Sequence, residues 1–169
     1  MKTLVLLPTS HKFQRGRPYC TEREEFEFCE KVRELCSLYG LTLIGEEFHE
    51  SLTVGEGKTG TTCREVALAL GLDHVYCEPP AEERVLANVK DPQSIKIMKI
   101  LGQLTSSQAG AERKRNFNFR EAWWLRTLIE KQSASALFVF GADHVKSFTF
   151  RAWKSGVGRV VLVSEWPPN

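Results

Sequence analysis

The chain is predicted to be an α/β protein, a three-layer sandwich with a mainly parallel central sheet flanked by helices. Three observations predict it. Short apolar runs at Leu4 to Leu7, Leu41 to Ile44 and Ala136 to Phe140 have the length of strands covered on both faces. Between them lie segments whose apolar residues repeat at helical spacing. Strand and helix alternate along the chain, which calls for βα units with right-handed crossovers.

The elements follow in order. Pro8 bounds the first strand, and Thr9 to Cys20 reads as a polar loop. Thr21 stands three residues before Glu24, the capping-box spacing that opens a helix. Phe28, Val32, Leu35, Cys36 and Tyr39 form its apolar stripe, and Gly40 ends it. The second strand emerges into Gly45-Glu46-Glu47. Residues 51–61 are polar and include Gly55, Gly57 and Gly60, the composition of a Gly-rich loop. Their GEGKTG string does not meet the phosphate-loop pattern: the required glycine offset is missing and no strand leads directly into it.

Thr62 and Glu65 repeat the capping spacing and begin a helix that Gly71 stops. Asp73 to Cys77 is a third strand, with helices expected over Ala81 to Val89 and Pro92 to Leu104. Ser106 to Asn116 reads as a polar connection, and Arg120 to Gln132 as a helix carrying Trp124, Leu125, Leu128 and Ile129 on one face. Adjacent Trp123 and Trp124 point about 100° apart on a helix, and Trp124 aligns with Leu128 for the core. After the Ala136 to Phe140 strand come Gly141-Ala142-Asp143-His144, a helix through Phe148 and Trp153, and a last strand from Arg159 to Val163. Neither a repeat nor a low-complexity linker divides residues 1–169, so one domain is expected.

A chain of 169 residues, 42% hydrophobic, can fill one core. Its 23 basic and 21 acidic side chains leave a net charge of +2, which argues against a nucleic acid or membrane surface as an electrostatic partner. The run Arg113-Lys114-Arg115 is offset by Glu112 and Glu121. The apolar stretch at the start is too short for an export signal or a membrane span. Five cysteines lack C-x-x-C spacing and cannot all pair within the chain. Free thiols point to a reducing, cytoplasmic compartment.

Open parallel sheets bind ligands beyond the carboxyl ends of their strands. The residues that follow the predicted strands should therefore share a rim: His11, then Glu46 and Glu47, then Glu78, then Asp143 and His144. Neutral imidazole suits a general base or a metal ligand near neutral pH, and a carboxylate can orient it. Arg120 opens a helix and can reach the same rim to meet negative charge. Each of these residues also has an ordinary structural explanation, as a cap, a loop side chain or a solvated charge. His74 lies inside a strand and reads as structural; His49 follows Glu47 by two and can face elsewhere.

The order of these groups resembles the superfamily that joins TraB/PrgY proteins, erythromycin esterases and ChaN-like haem-uptake proteins. The matching pieces are Pro8-Thr9-Ser10-His11, Gly45-Glu46-Glu47, Arg120 in the REAWW string, and Gly141-Ala142-Asp143-His144 followed by a helix, Gly158 and the strand RVVLV. Asp143 stands where the family carries a second glycine, and the chain is shorter than the larger members. The resemblance implies a shared site arrangement and a hydrolytic role on an ester or peptide bond.

The leading functional expectation is a hydrolase-like enzyme acting on a small-molecule or peptide substrate. His11, Glu47, Arg120 and His144 would be catalytic, with Glu46, Glu78, Trp123 and Asp143 binding substrate. A divalent metal ion held by His11, Glu47 and His144 is an open alternative to direct acid–base catalysis. There is no G-x-S-x-G elbow, Ser10 merely adjoins His11, and Cys20 is a nucleophile only if His11 approaches it. The competing class is a non-catalytic binding or regulatory protein on the same scaffold, expected to show an apolar patch near Trp123 or Trp166.

Overall fold

The computed structural model describes residues 1–50 and 60–167. Most of the expected Gly-rich loop therefore lies outside the described residues. The strands are β1 (Thr3–Thr9), β2 (Leu43–Glu46), β3 (Asp73–Tyr76), β4 (Ser135–Gly141) and β5 (Arg159–Leu162). They form one sheet in the order β3-β2-β4-β1-β5, and every strand pair is parallel. The helices are α1 (His11–Arg15), α2 (Glu22–Tyr39), α3 (Thr62–Leu70), α4 (Ala81–Leu86), α5 (Pro92–Ile100), α6 (Ser106–Glu130) and α7 (Val145–Lys154). Helices cover both faces, as the sequence predicts.

Alternation along the central strands builds two cores. Val5, Leu7, Ile44, Leu137 and Val139 face one side, where they meet Phe28, Val32 and Leu35 of α2 and Val66 and Ala67 of α3. Leu4, Leu6, Leu43, Phe138 and Phe140 face the other, against Trp124 and Leu128 of α6 and Phe148 of α7. Both faces being dry explains why β1 and β4 read as continuous apolar runs. Edge strands β3 and β5 are only partly buried. Gly45 allows α6 to lie close on β2, since an added Cβ would stand 2.5 Å from Leu128 Cδ2.

Two expected connections are helical. Thr9 to Cys20 contains α1, which folds because Phe13 and Gln14 have buried places to fill. Ser106 to Asn116 is the first half of α6, opened by a capping box between Thr105 and Gln108. Its polar look reflects a face that buries little more than Ala109 and Asn116, so periodicity was too weak to reveal it. Among the described residues no helix is long and apolar enough to cross a membrane.

Chain connectivity places the site. Helices α2 and α3, which follow β1 and β2 in the chain, pack on one face, whereas α7, which follows β4, packs on the other. Because β4 lies between β1 and β2, the connections part at its carboxyl end. That crevice is the topological switch point of the sheet.

Candidate functional site

Glu47 is the centre of the crevice. Its N–H extends the β2–β4 ladder to the Val139 carbonyl at 2.8 Å, which turns the side chain across the end of β4. Oε2 accepts the Gly141 N–H at 2.7 Å. Oε1 accepts from Arg120 Nη2. It also faces His11 Nε2 at 3.7 Å and His144 Nε2 at 3.8 Å. Gly141 leaves room for this approach, because a Cβ there would stand in tight contact, 3.1 Å from His11 Nε2 and 3.2 Å from Glu47 Oε2.

Arg120 projects from the middle of α6 and locks two carboxylates together. Its Nε and Nη2 fork onto Glu78 at 2.8 and 2.9 Å, while Nη1 donates to His144 Nε2 at 3.4 Å. The guanidinium lies 5.0 Å from the Trp124 ring centre, and Trp124 Nε1 donates to Glu78 Oε2 at 3.1 Å. Burial alone would lower the Arg120 pKa, but Glu47 and Glu78 outweigh it and hold it above its ordinary value.

His144 is wedged between aromatic rings, 4.0 Å from Phe117 and 4.7 Å from Trp124. Its Nδ1 meets Glu121 Oε1 at 2.9 Å. A carboxylate accepts, so Nδ1 carries the hydrogen and Nε2 the lone pair that receives Arg120. Ser147 Oγ donates to the same Glu121 oxygen at 2.6 Å, and Arg151 Nε lies 3.6 Å from the other. On the opposite flank, His11 Nδ1 lies 2.8 Å from Gln14 Oε1, and Gln14 Nε2 reaches Glu46 Oε2 at 3.3 Å. Glu46 Oε1 receives the Thr61 hydroxyl and His74 Nε2, the latter at 2.7 Å.

A cavity of about 320 Å³ opens at this rim, lined by His11, Arg15, Glu47, Phe48, His49, Glu78, Ala81, Arg84 and Arg120. The expected His11, Glu47, Glu78 and Arg120 thus share one wall. His144 stands behind Glu47 and Arg120; its side chain is 4% exposed, against 50% for His11. Glu46 is fully buried beneath the rim. Asp143 is exposed on the turn before α7. Trp123 faces a neighbouring cavity of about 640 Å³ that includes His49 and His74, and it packs on Arg126 and Phe119. Trp124 is the tryptophan in the core, and Cys20 is buried in the α2-side core.

The expected divalent metal site of His11, Glu47 and His144 is corrected by the structure. Among the described residues no group of three or more His, Cys, Asp or Glu side chains is arranged to hold a metal ion. Glu47 Oε1 is bound by the Arg120 guanidinium, and His144 Nε2 turns onto the same guanidinium. A covalently tethered cation fills the place between the ligands.

Several contributors escape sequence reading. Gln14 is one helical turn from His11, a relation visible only once residues 11–15 are helical. Glu121 adjoins Arg120 in sequence, and the two meet opposite edges of the same imidazole, Glu121 at Nδ1 of His144 and Arg120 at Nε2. Arg84 comes from α4, which has no buried residue to anchor a pattern. His74, inside β3, reaches Glu46 Oε1 from Nε2 at 2.7 Å. Compared with known proteins, the chain matches no family model, no curated protein and no solved structure.

Proposed function

We propose that this crevice is the active site of a small hydrolase that cleaves an ester or peptide bond by acid–base catalysis. The observation that carries the reading is that two imidazoles from remote segments meet one carboxylate oxygen, and one of them opens onto the cavity. In the proposed step, His11 Nε2 takes a proton from water as the water oxygen bonds to the substrate carbonyl carbon. Glu47 Oε1 stabilises the imidazolium so formed. Collapse of the tetrahedral intermediate breaks the bond to the leaving alkoxide or amine, which takes the proton back from His11.

Arg120 has its donors engaged by Glu47, Glu78 and His144, so it acts by holding the carboxylates in place. Arg84 lines the cavity and supplies positive charge for the developing oxyanion. Among the described residues its guanidinium makes one hydrogen bond, from Nη1 to Glu78 Oε1 at 3.3 Å. The same four chain segments, at His11, Glu47, Arg120 and His144, carry the likeness to the TraB/PrgY, erythromycin esterase and ChaN-like superfamily. Kinship with it is part of this proposal.

A panel of chromogenic esters and peptide anilides tests the reading with wild type, His11→Gln and the distant Lys154→Ala. Turnover by wild type and Lys154→Ala should fall by about 10²–10⁴-fold in His11→Gln. Hydrolysis by a folded His11→Gln protein at the wild-type rate, or none of the panel cleaved by wild type, overturns it.

The non-catalytic reading draws on exposed apolar residues. Exposed Leu68 shares a cavity with Trp123 and exposed Phe26 shares one with Trp166, and Val85, Leu86, Ile100 and Leu101 of the α4–α5 region stand open as well. Under that reading, ligand binding in the cavity would survive His11→Gln with no turnover in either protein.

A further inference from the structure

Gln14 is fully buried on α1, and its amide has two chemically different ends. One end faces Glu46 Oε2 at 3.3 Å and the Val139 carbonyl at 3.4 Å. A backbone carbonyl can only accept, so that end is the NH₂ group. The oxygen end is thereby directed at His11 Nδ1, 2.8 Å away, and Nδ1 has to supply the hydrogen. Glu46 is itself held from behind by Thr61 and His74. Thr61 is fixed in turn as the N-cap of α3, where its oxygen accepts the Arg64 N–H at 3.3 Å.

We propose that this buried chain, from His74 and Thr61 through Glu46 and Gln14, holds neutral His11 as the Nδ1–H tautomer. That form is the minor one for a histidine side chain in water. It leaves the lone pair on Nε2, the ring atom that faces Glu47. The opposite tautomer would present a hydrogen on Nε2 and shut the lone pair behind the ring, against Gln14. Gln14 and Glu46 are thus positioning residues that make His11 a base in the required direction. The catalytic consequence rests on the hydrolytic reading of the site, whereas the tautomer itself does not.

The test is long-range ¹H–¹⁵N correlation spectroscopy on the full chain with ¹⁵N-labelled histidine, at a pH where His11 is neutral. His11 is assigned among the four histidines by the loss of its signals in His11→Gln. The expected result is Nδ1 in the N–H range and Nε2 in the lone-pair range. In Gln14→Met, which removes the amide at similar volume, the two nitrogens should exchange ranges. A wild-type His11 that is Nε2–H overturns the inference, and so does an unchanged tautomer in folded Gln14→Met. An Nδ1–H wild type that hydrolyses nothing supports the inference and removes the hydrolytic reading alone.

Discussion

At the scale of single residues, the site is dominated by buried charges that satisfy one another. Glu47, Glu78 and Arg120 are 2%, 11% and 13% exposed, so none has bulk water to fall back on. Removing the cation leaves two buried carboxylates facing each other. Arg120→Ala should therefore cost about 3–5 kcal/mol of stability, read from the urea midpoint. A loss below about 1 kcal/mol, the scale of a surface pair, would contradict the burial. His144 has the same logic. From sequence alone, His144→Ala is expected to spare the fold; in the structure it would strip the buried Glu121 of its imidazole partner and open a void between Phe117 and Trp124.

At the scale of elements, α1 is too short to persist on its own and is held by what it docks against. Phe13 stacks on Phe28 of α2 with ring centres 5.7 Å apart, and Lys12 Nζ meets Glu24 Oε1 at 2.9 Å. Glu24 also completes the α2 capping box, its Oε2 accepting the Thr21 N–H at 2.8 Å. Lys12 first, then the Thr21 amide and hydroxyl, hold the Glu24 carboxyl down to about 2 from its ordinary 4.5. A carboxyl lowered on folding stabilises fully above its unfolded value and loses that contribution as pH falls through the folded one. The difference in thermal midpoint between wild type and Glu24→Gln should accordingly be largest near neutrality and close towards pH 2. A difference independent of pH would mean that the carboxylate charge is not what ties α1 to the α2 cap.

At the scale of the whole molecule, the paired cores of a doubly covered sheet also bury the thiols. Burial pushes the Cys36 pKa up to about 11, and it raises Cys63 and Cys77 still further, with the charge of Glu46 adding to both. Cys36, Cys63 and Cys77 should resist iodoacetamide in the native protein at pH 7, while all five cysteines alkylate in urea. Rapid native labelling of Cys63 would be inconsistent with the core between α2, α3 and the sheet.

The strands, the long apolar helix faces and the residues behind each strand are legible in the sequence because periodicity and strand-end position are local properties of the chain. Leu4 to Leu7 and Ala136 to Phe140 announce a buried sheet, and the rule for parallel sheets then directs attention to His11, Glu47 and His144. Other relations are decided by the tertiary structure: which imidazole opens on the cavity, that Arg120 stands between the side chains the sequence offers as metal ligands, and that Gln14, Glu46 and Glu121 serve the histidines. Those depend on side-chain direction and on distances across segments remote in sequence, and local chemistry carries no record of either until the sheet order β3-β2-β4-β1-β5 brings the ends together.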